Sequence, residues 1–172
     1  MCYDNDAAPP RLQPPITGTR AADVRLTSSD GTGFTAYEAR PDDVRGSGVV
    51  IVPDVRGLHG FYRQLAVRLA EQGHPAIAID YYGRTAPGDD RGESFPVMEL
   101  GTPILGLFGG ADQGIPADQV TEFDAALTAA GVEHEIVTYP GAPHGFFDAG
   151  YAGHAAACAD AWNRVLAFLA SR

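Results

Sequence analysis

The stretch GVVIVPDVRGLHGFYRQLAVRLAEQGHPAIAID, residues 48–80, decides the fold. It opens with the continuous apolar run Gly48 to Pro53, the composition of a short strand buried on both faces. From Gly60 to Gln72, Phe61, Leu65, Ala66 and Leu69 share one face at helical spacing. Arg63 and Glu71 lie off that face, and Gly73 supplies the stop. Pro75 to Asp80 is a second buried run. Strand, helix and strand with short joints make a βαβ unit, so these two strands are expected to be parallel.

Working outward, Ala22–Thr27 and Phe34–Ala39 flank the turn Ser29-Asp30-Gly31-Thr32-Gly33 and predict a β-hairpin. Residues 1–21 are Pro-rich and aperiodic, an extended arm over the domain surface. On the other side, Pro103 to Phe108 reads as a third buried strand. Pro116 to Ala130 is a helix with Val120, Phe123 and Leu127 inward, and Glu133 to Tyr139 a fourth parallel-type strand. Ala155 to Ala170 closes the chain as a helix with Trp162, Val165, Leu166 and Leu169 inward. Alternating elements without repeats place residues 1–172 in one domain of the α/β class. Residues 81–102 do not fit. A parallel crossover needs about a dozen residues or more, usually with a helix, and Pro and Gly break this segment throughout.

Composition narrows the chemistry. A chain of 172 residues with 45% hydrophobic content can bury a core. The formal net charge of −10 argues against a nucleic-acid or anionic-membrane surface. All 12 basic residues are Arg, so Schiff-base lysine chemistry and a P-loop lysine are excluded. Cys2 and Cys158 are too far apart in sequence to suggest a disulfide framework or a zinc site. The polar, acidic start is unlike a signal peptide, and no apolar run approaches the ~18 residues of a membrane span. A cytoplasmic protein is expected.

In parallel sheets, functional groups gather where strands end. Asp112 follows the third buried strand and His144 the fourth. An acid and a histidine on successive strand ends can meet in space. The carboxylate would then fix the imidazole tautomer and leave the other ring nitrogen free as a base. Taken singly, Asp112 could be a turn residue and His144 a surface imidazole; together they form a candidate site.

Gly-Gly-Ala-Asp-Gln-Gly-Ile-Pro at 109–116 and Tyr-Pro-Gly-Ala-Pro-His-Gly-Phe at 139–146 resemble the acid and histidine motifs of the dienelactone hydrolase family. Met1-Cys2-Tyr3-Asp4, Pro53-Asp54-Val55-Arg56-Gly57 and the run from Asp80 to Gly88 are similar to that family as well. The resemblance covers residues 1 to about 88 and about 103 to 172. It implies an α/β-hydrolase-like three-layer sandwich with a mostly parallel sheet and an N-terminal hairpin. It also implies hydrolysis of a small-molecule carboxylic ester or lactone without a cofactor. By the same resemblance Asp112 is the triad acid and His144 the triad base. Val55 offers a backbone N–H to an oxyanion hole, Asp54 contacts the nucleophile, and Arg84 holds a substrate carboxylate. Without the resemblance, Asp54 and Arg84 could form a simple strand-end ion pair.

The family nucleophile sits on a G-x-C-x-G or G-x-S-x-G turn between a strand and a helix. No such pattern occurs in this sequence. The nearest, Gly92-Glu93-Ser94-Phe95-Pro96, has Pro for the last Gly and no preceding strand. Cys158 reads as a core thiol, and Cys2 matches a family cysteine outside the triad. Family members are longer, and the shortfall falls at 81–102. The sheet is therefore expected to lack about two central strands along with the nucleophile. Asp148 stands where relatives acting on dienelactone carry an arginine. Three functions remain open: an impaired hydrolase, a non-catalytic remnant binding a small carboxylate at Arg84 and Asp54, and a metal site of Asp54, Asp112 and His144. The loss of middle strands leaves two states, a monomer whose sheet closes over the gap or a self-associating chain.

Overall fold

The computed structural model describes residues 6–29, 31–54, 57–80, 101–150 and 152–172. Strands β1 (Thr19–Thr27) and β2 (Gly33–Pro41) form the expected antiparallel hairpin, with Leu26 opposite Phe34. Gly31, at φ +86°, takes the left-handed conformation that the tight turn demands. β3 (Val49–Ile51), α1 (Gly60–Glu71) and β4 (Ala76–Ile79) form the βαβ unit, and β3 and β4 pair in parallel. β5 (Ile104–Gly109), α2 (Ala117–Ala130) and β6 (His134–Tyr139) repeat the pattern, again with parallel strands. A short 3₁₀ turn (Ala152–His154) leads into α3 (Ala155–Ala170).

The strands form two sheets, ordered β1-β2-β4-β3 and β5-β6. The expected parallel pairing holds within each βαβ unit, β3 with β4 and β5 with β6. Among the described residues no ladder joins β3 to β5, and β2 meets β4 antiparallel. Among the described residues no strand bridges the two sheets. A β-strand is hydrogen-bonded on both sides only if a neighbour lies at about 4.8 Å. Between β3 and β5 no described strand occupies that position.

A correction concerns β3. The apolar run predicts burial on both faces, yet one face alone is covered: Ile51 (8% exposed) and Pro53 are buried and Val49 is half-buried, with α1 packing on that side. Val50 and Val52 are each 64% exposed. Apolar continuity reports what a strand was shaped to meet, which differs from what covers it.

Two apolar cores lie under the two sheets. One gathers Ile51, Phe61, Leu69 and Ala78 around α1. The other gathers Tyr139, Phe146, Cys158 and Ala161. α3 joins them, because Trp162 packs in the first and its neighbour Ala161 in the second. Phe147 packs against both, with its ring 6.1 Å from that of Trp162. The N-terminal arm clasps this arrangement, and the hairpin begins at Thr19, inside the span expected to be arm. Ile16 N–H donates to Glu71 O (2.9 Å), and Ala149 N–H donates to Ala8 O (2.9 Å), tying the arm to α1 and to the segment before α3.

Candidate active site

Asp112 leaves β5 on a tight turn that the sequence Asp-Gln-Gly-Ile-Pro enforces. Its Oδ1 accepts the backbone N–H groups of Gly114 (2.8 Å) and Ile115 (3.1 Å), an aspartate turn that ends where Pro116 starts α2. Its Oδ2 is thereby aimed away from the turn and accepts from His144 Nδ1 at 2.7 Å. Asp112 is almost completely covered, its side chain 4% exposed, while that of His144 is 36% exposed. The carboxylate is therefore anchored and the imidazole reaches outward.

Close backbone approach brings the two loops together. Gly110 N–H donates to Tyr139 O (2.8 Å) and Ala111 N–H to Ala142 O (2.9 Å). A Cβ on Gly109 would stand 2.5 Å from the carbonyl oxygens of both Ala142 and Pro143, so only glycine allows this contact. Gly145, next to His144, has φ +67°, a left-handed turn that directs the chain back toward α3. There the Cys158 thiol donates to Phe146 O at 3.0 Å, and the Tyr139 hydroxyl donates to Asp160 Oδ2 at 2.8 Å. Sequence reading missed both of these anchors, since a cysteine and an aspartate on a helix carry no local signal of the loop they hold.

The electrostatics follow from these contacts. Burial pushes the Asp112 carboxyl up. The hydrogen bond from His144 and the two backbone donors outweigh it, so the group is held below the usual carboxylate range. An ionised carboxylate only accepts, so the Nδ1 proton sits between the pair, and in the neutral ring Nε2 carries the free lone pair. Burial pushes the Cys158 thiol up, the wrong direction for a thiolate nucleophile. Burial, followed by the bond to Asp160, pushes the Tyr139 phenol up to about 12 and keeps it a donor.

Asp112, His144 and Asp54 line one cavity of about 590 Å³. Its walls are otherwise largely apolar and come from β3, β5, α1 and α3. It thus lies between the two sheets, where their edges fail to meet. Asp54 follows β3, and its Oδ1 is 3.7 Å from His59 Nε2. His59 was not singled out in the sequence; it stands at the N-cap position of α1 without a side-chain capping bond and meets Tyr62 edge to face at 4.9 Å. No described Ser, Thr or Cys lines the cavity. Val55, Arg84, Ser94 and Cys2 lie outside the described residues. Among those described, no three His, Cys, Asp or Glu side chains are grouped closely enough to hold a metal ion. Nor is any helix long and apolar enough to cross a membrane.

The model of the dienelactone hydrolase family matches residues 34–102 and, separately, 96–172. A provisionally named carboxymethylenebutenolidase of Escherichia coli (strain K12) is 46% identical over 95 residues, covering 52% of this chain and 35% of that protein. The carboxymethylenebutenolidase of Rhodococcus opacus is 30% identical over 93 residues, covering 54% of this chain and 34% of its own. The chain thus spans about a third of the length of the curated relatives it matches. A provisionally named dienelactone hydrolase of Klebsiella pneumoniae superposes with a TM-score of 0.73 at 24% identity, over 90% of this chain and 100% of that one. The dienelactone hydrolase-like promiscuous phosphotriesterase P91 gives 0.69 at 15% identity, over 89% and 98%. Both likenesses establish the α/β-hydrolase fold.

Proposed function

Because this chain belongs to the dienelactone hydrolase family, we propose that it carries the acid–base half of a carboxylic ester or lactone hydrolase and turns esters over poorly for want of a nucleophile. The single observation behind this reading is the 2.7 Å contact of His144 Nδ1 with a buried Asp112 carboxylate at the edge of an apolar cavity. In that role His144 is the base and Asp112 the group that orients it. Asp54 is the acid that would face the attacking atom, Val55 the oxyanion donor and Arg84 the contact for a substrate carboxylate.

Three observations support impairment. The two family matches meet at 96–102, as expected where an intervening stretch is missing. The cavity has no hydroxyl or thiol from Ser, Thr or Cys among its described lining. Cys158, the one described cysteine, is buried and engaged as a donor to Phe146. Acyl transfer gains much from an attached, activated nucleophile, so an imidazole working on water alone is slow. The substrate is a small molecule, the net charge of −10 disfavours nucleic acid, and the chain acts in the cytoplasm.

The test is p-nitrophenyl acetate turnover by the purified chain and by His144→Ala. Both are expected near the uncatalysed rate. A substantial rate that His144→Ala abolishes would mean that a nucleophile is present and the reading of impairment is wrong.

A further inference from the structure

We propose that His144 is itself the nucleophile for a second, narrower activity: transfer of an apolar acyl group of about six carbons from an activated ester to its Nε2, followed by hydrolysis. The proposal rests on the reading of Asp112 and His144 as a working pair, and adds to it a bond-forming role and a substrate class.

The geometry supplies three requirements. Asp112 holds Nδ1–H at 2.7 Å, and among the described residues Nε2 has no hydrogen-bond partner. The imidazole is partly exposed, so a substrate can reach it. The cavity it lines is largely apolar, with Leu105, Leu107, Val165, Phe168 and Leu169 in its wall to meet an alkyl chain. No Ser, Thr or Cys side chain in the described lining competes for the acyl carbon.

The chemistry balances without any co-reactant but water. The Nε2 lone pair forms a bond to the ester carbonyl carbon. The bond from that carbon to the leaving oxygen breaks, and the oxygen departs with the electron pair as a phenolate or enolate. The acyl-imidazolium keeps its proton on Nδ1, hydrogen-bonded to Asp112, whose negative charge offsets the positive ring. Water then adds to the acyl carbon and gives up one proton to the solvent, where the departed phenolate or enolate can take it; the carbon–Nε2 bond breaks with its pair returning to nitrogen, and a carboxylic acid leaves. The tetrahedral adduct expels whichever group leaves more easily. Aryl and enol esters therefore pass forward, whereas alkyl esters return the imidazole unacylated.

Each methylene moved from water to the apolar wall is worth about fourfold in binding. The rate constant kcat/KM should therefore climb about fourfold per carbon from p-nitrophenyl acetate to p-nitrophenyl hexanoate. That slope keeps acetate near background and lets hexanoate stand clear of it.

The experiment combines this series with rapid acid quench and peptide mass spectrometry of the full chain. The expected result is one hexanoyl group on the peptide bearing His144. The hexanoate rate should fall at least about tenfold in both His144→Ala and His144→Gln, checked for folding by circular dichroism. A flat chain-length series, or a hexanoate rate indifferent to both substitutions, overturns the proposal. So does the lack of an adduct; a background acetate rate would then leave the impaired-hydrolase reading in place. An adduct on a serine, threonine or cysteine overturns this proposal and the impaired reading together. Adduct mapping uses the unaltered chain, so the proposal stays testable even if a variant does not fold.

Discussion

The two edges facing the cavity are built differently. On the β5–β6 side the turn after each strand is closed by backbone contacts, and Asp112 accepts three donors. On the β3 side a three-residue strand leaves Val50 and Val52 open, each 64% exposed. The pair on the first edge is held by its own loops and by α3, so it needs no central sheet. The second edge was shaped for covering layers that no described residue provides. Precise local geometry and incomplete packing therefore coexist within one chain. The first lives in hydrogen bonds between neighbouring loops, the second in apolar surfaces that no described residue covers.

That contrast can be broken most strongly at Trp162, which ties the two cores together. Trp162→Ala is expected to cost about 3 kcal/mol, the lower end for such a truncation because one flank already faces a cavity. Urea denaturation would measure it. A much smaller loss would mean that the two cores are held together by something other than α3.

Next in size is Gly109→Ala, whose Cβ would press on backbone carbonyls that cannot turn aside. We expect about 2 kcal/mol of destabilisation and a separation of Asp112 from His144, visible as a changed His144 ring resonance. Unchanged stability would show that the loop contact is not as close as 2.5 Å.

Asp112→Asn comes third, with about 1.5 kcal/mol lost at neutral pH, the size of a hydrogen bond made by a charged group. The sign of its pH dependence follows from a carboxyl held low when folded. Its contribution is fully present above the ordinary carboxylate range and disappears as pH falls through the lowered folded value. The gap between the natural chain and Asp112→Asn should therefore close in acid. A gap that widened in acid would refute the lowered carboxyl.

Smallest is Val52→Lys on the open side. Stability should change by less than about 0.5 kcal/mol, while self-association, read by sedimentation velocity, declines. Association unaffected by the charge would show that this edge is not the sticky one.

Much of this was legible in the residues. Helix ends and parallel pairs followed from apolar spacing and glycine stops, and α3 runs from Ala155 to Ala170 as the pattern predicts. The meeting of Asp112 and His144 followed from two polar loops on successive strand ends. What escaped depended on contacts far apart in sequence. Neither the bond from Cys158 to Phe146, the reach of Tyr139 to Asp160 nor the approach of His59 to Asp54 has a local signature. The open face of β3 escaped for the opposite reason. Its valines are those of a buried strand, and sequence records the demand for cover without recording whether the cover exists.

The most direct measurement is the ¹⁵N spectrum of the His144 ring at neutral pH, assigned by comparison with His144→Gln. The account predicts that the neutral ring carries its proton on Nδ1, coupled to Asp112, and that this preference is lost in Asp112→Asn. A ring protonated at Nε2 alone, or one indifferent to Asp112, would contradict it.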